Sequence, residues 1–124
     1  MKSGFLCGCG LISATLLLAA CGNKTISYKA DVEPILKQNC VECHTEKGLG
    51  YEKSGLLMTS YEGLMKGTKY GAIIKPGDSL SSAMIMLVEG RADPSIKMPH
   101  GRASLPKDSI EVLKKWVEQG AKNN

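Results

Sequence analysis

Aromatic side chains are scarce in this 124-residue chain. They make up 5% of it, and the single Phe, Phe5, lies close to the N-terminus. So few large groups, in a length that suits one domain, leave only a modest hydrophobic core. Charge of one sign is also lacking: a formal net charge of +4 is too small to argue for a nucleic-acid partner. The longest apolar run, residues 4–20, is short for a helix that crosses a bilayer. Internal repeats and low-complexity segments are absent, and no βαβ pattern is visible. Histidine occurs twice, as His44 and His100, and arginine twice, as Arg91 and Arg102.

Against these absences one stretch carries chemistry. Cys40-Val41-Glu42-Cys43-His44 has the spacing of a c-type haem attachment site. Each thiol can add to one porphyrin vinyl group, which fixes the ring by two thioether bonds. His44 then falls under the iron and supplies its proximal nitrogen. Two other chemistries use Cys-x-x-Cys. A thioredoxin-like dithiol expects a βαβ setting, and a structural zinc site needs four ligands. Cys40, Cys43 and His44 leave only His100 as a further strong ligand. Haem c, one group covalently attached, is therefore the expected cofactor.

The N-terminus reads as an export signal. Lys2 precedes the apolar run, which closes on Leu18-Ala19-Ala20-Cys21. That ending resembles the lipobox of bacterial lipoproteins, in which the cysteine is acylated and the chain is cut before it. The expectation is a signal peptide over 1–20, a lipidated Cys21 with a short tether over 21–29, and a domain over 30–124. Cys7 and Cys9 would leave with the signal, so one remaining cysteine serves lipid and two serve haem. The polar tether from Gly22 to Ser27 would reach roughly 20 Å if extended. Gly22 in place of Asp favours the outer membrane in a diderm, with the domain on the periplasmic side. In a monoderm the outer face of the cytoplasmic membrane is the equivalent place.

Within the domain, Asp31 is expected to cap a first helix that runs through Pro34 towards Cys40, with Val32, Ile35, Leu36 and Val41 on its buried side. Gly48, Gly50 and Gly55 then mark a loop. A short helix follows Ser60 and stops at Gly67, and residues 73–77 are extended into a turn. Asp78 or Ser79 should cap a helix over Ala83–Val88 that ends at Gly90. The last helix runs from Lys107 to Gln119, with Ile110, Leu113, Trp116 and Val117 at spacings of three and four. It is expected to pack on the first helix and the haem edge.

Between these helices Pro99 and Gly101 keep Ile96–Gly101 out of helix, so Met98 is offered from a loop. Its soft, neutral thioether suits the distal face of a haem iron, and His/Met ligation raises the iron potential. Met58, Met65, Met84 and Met86 sit among apolar neighbours and read as core filler. His100 is the lesser candidate for the distal place. Arg91 and Arg102 bracket Met98, and either can pair with a haem propionate through its planar fork. Lys47, Lys53, Lys66, Lys69, Lys75 and Lys97 are candidates to surround an exposed haem edge and steer an acidic partner.

Taken in order, these segments resemble a small monohaem cytochrome c of the planctomycete type. The likeness rests on Asp31-Val32-Glu33-Pro34-Ile35-Leu36, Cys40 to His44, Ser54-Gly55-Leu56-Leu57, Pro76-Gly77-Asp78, Met98-Pro99 and Trp116 to Ala121. It implies an all-α cytochrome c fold wrapped around one haem, with thioethers at Cys40 and Cys43 and axial ligands at His44 and Met98. It implies an electron carrier rather than a catalyst, meeting redox proteins through brief contacts. Two other functions use the same parts: a haem sensor or peroxidase with a displaceable distal ligand, and a fixed haem subunit of a membrane oxidoreductase complex.

Overall fold

A computed structural model describes residues 22–124. The expected signal peptide and Cys21 lie outside the described residues. Those that are described form a small all-helical domain with no β-strand. Five helices follow in order: α1 Glu33–Asn39, α2 Leu49–Ser54, α3 Tyr61–Lys66, α4 Ala83–Val88 and α5 Lys107–Glu118. A π-helical turn, Tyr28–Val32, leads into α1, and a 3₁₀ turn, Pro94–Ile96, precedes Met98.

The chain enters α1 earlier than the sequence suggests. Ser27, not Asp31, is the cap: its Oγ accepts from the Ala30 amide at 3.1 Å. Asp31 returns the favour, its carboxylate accepting from the Ser27 amide at 2.9 Å and from Lys24 at 2.9 Å. Two otherwise orphaned helix-end amides are thereby satisfied. Pro34 accounts for the wide turn that follows. It has no amide to offer the Ala30 carbonyl and its ring crowds that carbonyl, a conflict that a looser turn relieves.

The packed chain also begins sooner than a 21–29 tether implies. Ile26 and Tyr28 are buried. The Ile26 amide donates to the Gln119 side chain at 2.8 Å, the Lys29 amide to the Asn124 carbonyl at 3.0 Å, and the Gln119 side chain to the Lys24 carbonyl at 3.1 Å. Tyr28 stacks with Tyr61 and Trp116 at centroid separations of 5.1 and 5.6 Å. Three of the five described aromatics are thus gathered where the two ends of the described chain meet. Trp116 and Tyr61 direct their polar tips to the Lys122 and Ala121 carbonyls, as buried Trp and Tyr must.

Leu113, Trp116 and Val117 bury the expected face of α5, while Ile110 is only half-buried. That face packs on the π-helical turn and on α4, rather than on the body of α1. Helix α3 runs from its Ser60 cap to Gly67 as expected. Helix α4 spans Ala83–Val88, but Asp78 caps the turn before it, accepting from the Ser81 amide at 3.0 Å; Ser82 occupies the cap position. Helix α2 was not expected. It occupies the glycine-marked stretch and ends at Gly55, whose φ of 75° is the left-handed stop that glycine tolerates best.

Candidate functional site

Helix α1 hands the cysteine motif directly to the site. The Cys40 amide continues its last turn, donating to the Leu36 carbonyl at 2.8 Å. The Cys43 and His44 amides both donate to the Cys40 carbonyl, at 3.1 and 3.0 Å. This coils the five residues so tightly that both thiols and the imidazole line one cleft. Leu36, Leu56, Ile73, Leu87, Val88 and Leu113 supply its apolar walls, and Met98 and Pro99 close it from the loop after α4. Asn39, Ser54 and Thr68 are its remaining polar residues.

His44 is buried, and its Nδ1 has no hydrogen-bond partner. Burial holds the imidazole below its ordinary range, with the Leu56 backbone pulling weakly the other way. The neutral ring that results is the form that ligates a metal. Burial pushes the Cys40 thiol up to about 11, with Cys43 adding to it. A thiol held protonated is a poor nucleophile for disulfide exchange and a poor zinc ligand. Among the described residues no three His, Cys, Asp or Glu side chains converge on a metal position. The described residues thus offer no ready zinc site.

The donor set fits a covalently held haem. It offers two thiols, a neutral buried nitrogen and a thioether around one apolar cleft. The cleft encloses about 130 Å³ and widens to about 760 Å³ where it opens to solvent. Its enclosed part is smaller than an ordinary cofactor pocket of about 300–1,000 Å³. A large planar group fits only by using the open part too, which leaves one edge accessible to a partner.

The loop carrying Met98 is fixed at three points. The Met98 amide donates to the Leu87 carbonyl at 3.3 Å, Lys97 Nζ reaches Ser104 Oγ at 2.6 Å, and Arg102 pairs with Glu42 inside the cysteine motif. Arg91 turns instead to Glu89 and to the Leu80 carbonyl. Neither arginine lines the cleft, and each has protein partners. His100 is exposed and lies off the cleft wall. Of the lysines, Lys53 and Lys69 adjoin the cleft-lining Ser54 and Thr68, whereas Lys97 is half-buried.

Sequence reasoning missed two sets of residues. Met58 and Met84 are buried, as core filler should be, yet they line the same cleft as Met98. Gly48 and Gly50, read as loop punctuation, lie against the motif itself. A Cβ on Gly48 would stand 2.3 Å from the Cys43 carbonyl oxygen, and one on Gly50 would stand 2.8 Å from His44 Cε1. Glycine in a stretch that otherwise reads as turn was the only available signal.

The family model described as Planctomycete cytochrome C matches residues 40–100, from the first motif cysteine to just beyond Met98. That segment is similar to the cytochrome c domains of this family, and the likeness implies haem c and electron transfer. No curated protein and no solved structure matches the chain.

Proposed function

We propose that this cytochrome c domain is a single-haem, membrane-tethered electron carrier, with Cys40 and Cys43 as thioether sites and His44 and Met98 as axial ligands. The observation that carries the proposal is the meeting of these four side chains in one apolar cleft. Haem c held there supplies one-electron chemistry at its iron. The chain's own part is to hold both axial donors still and to exclude water from the enclosed side. Apart from the motif residues, the polar cleft residues are Asn39, Ser54 and Thr68, none of which is an acid or base for substrate chemistry. This favours a carrier over a catalyst. Lys53 and Lys69, next in sequence to the cleft-lining Ser54 and Thr68, supply positive charge for an acidic redox partner.

Lipidation of Cys21 and export belong to the same proposal. They rest on the sequence pattern Leu18-Ala19-Ala20-Cys21. Four residues, Gly22 to Thr25, separate Cys21 from the buried Ile26. Even fully extended they span at most about 14 Å, so a lipid on Cys21 would hold the domain close to the bilayer. The outer membrane of a diderm remains the favoured place.

The test is an absorption spectrum of the matured protein with and without Met98→Ala. We expect a covalent low-spin haem in the native chain, and loss of the far-red methionine-to-ferric band in the variant. An unchanged band would remove Met98 from the iron and point to Met58 or Met84.

A further inference from the structure

The cleft has a neighbour that none of the roles above uses. Helix α2 lies with its first turn directly against the motif, and two glycines form the seam. Gly50 has no Cβ to separate it from the imidazole; one added there would come within 2.8 Å of His44 Cε1, 2.9 Å of Nδ1 and 2.8 Å of the Cys43 carbonyl oxygen. Its backbone is helical, so the glycine is required by close approach and not by an unusual φ. The helix cannot easily withdraw. The Tyr51 amide donates to the Cys43 carbonyl at 3.1 Å, the Lys69 amide to the Ser54 carbonyl at 2.8 Å, and Ser54 Oγ to the Gly50 carbonyl at 2.5 Å.

We infer that Gly50 is a positioning residue for the proximal ligand: the flat backbone face of α2 sets the plane of the His44 ring by direct contact. The inference rests on His44 being that ligand. The physical basis is steric. His44 Nδ1 is buried without a hydrogen bond of ordinary geometry, and the Leu56 backbone is the one polar group that acts on the ring, so close packing carries much of the constraint about its Cβ–Cγ bond. A ligating imidazole ordinarily has its orientation set by a bond from its second nitrogen. Here packing against Gly50 adds to what the Leu56 backbone can supply.

Gly48 provides the control. A Cβ there would press on the Cys43 backbone at 2.3 Å, with no imidazole atom among its nearest contacts. Gly48→Ala therefore disturbs the same seam without touching the ring. The experiment compares ferric holoproteins of the native chain, Gly50→Ala and Gly48→Ala, using electron paramagnetic resonance g-values and the spread of haem-methyl proton shifts, both of which follow the axial ring plane. Thioether content, read from the haem spectrum in denaturant, verifies attachment in each.

The expected result is a clear change of g-values and methyl order in Gly50→Ala, with thioethers intact, and a distinctly smaller change in Gly48→Ala, whose clash moves the Cys43 backbone but meets no ring atom directly. A native pattern in Gly50→Ala, or equal changes in both variants, would overturn the inference. Should Gly50→Ala fail to mature, the ferrous native holoprotein decides the matter. A proton Overhauser contact between the Gly50 Hα pair and His44 Hε1 is expected, and its absence overturns the inference equally. Failure of the ligation reading itself would show separately, as a native spectrum without an axial imidazole.

Discussion

At the scale of single residues, the side chains that meet in the cleft were legible because their signals are local. Cys40, Cys43 and His44 lie within five positions, and Met98 is flagged by the proline beside it. Residues whose role arises from contacts across the chain gave no such signal. Glu42 is one of them: it occupies a variable place within the motif, yet it pairs with Arg102, sixty residues away on the Met98 loop. Both side chains are well exposed, so the pair adds little to global stability. Its effect should be on how readily the loop lifts. Arg102→Ala should speed displacement of the distal ligand by added imidazole in the ferric holoprotein, by no more than about fivefold. The difference should fade in high salt, where exposed pairs are screened. Stopped-flow traces at two ionic strengths measure it, and identical rates at low salt would exclude a latch.

At the scale of elements, periodicity found α3, α4 and α5 but missed α2 and the π-helical turn. Helix α2 holds a glycine in its interior and one at each end, a composition that argues for a loop on propensity alone. What makes it helical is tertiary, namely its backing against the cysteine motif and against Lys69. The π-helical turn follows from a conflict at Pro34 that no apolar pattern records. The entry to this turn has a testable pH signature through Asp31. Its carboxyl is held below the usual value of 3.8, chiefly by the Ser27 amide and then by Lys24. A depressed native pKa contributes stability that is present above the unfolded value and is lost as pH falls through the native one. Asp31→Asn should therefore be less stable than the native chain at neutral pH, and the gap should close as pH drops below 3.8. Denaturant midpoints followed from pH 7 downward through the acid range measure the closing of the gap. A gap that persists undiminished in acid would assign the effect to shape and not to charge.

At the scale of the whole molecule, the domain has two unlike ends. One holds Tyr28, Tyr61 and Trp116, stitched by Gln119 and Asn124 to the start of the packed chain. The other is the cleft, walled by aliphatic and thioether side chains with no aromatic among them. Helix α1 separates the two, and the run from Ser27 to Asn39 covers about 18 Å at 1.5 Å per residue. A short lipid tether would thus enter at the end remote from the cleft and leave the cleft mouth free for a partner. The scarcity of large side chains becomes intelligible at this scale if a haem in the cleft completes the core. Without it, the apolar walls of the cleft would stand open to water. The same chain with Cys40 and Cys43 replaced by alanine, prepared free of haem, should melt broadly and well below the holoprotein in far-ultraviolet circular dichroism. A sharp transition at the holoprotein's midpoint would mean that the aromatic end alone suffices, and that the cleft is not a haem-dependent half of the core.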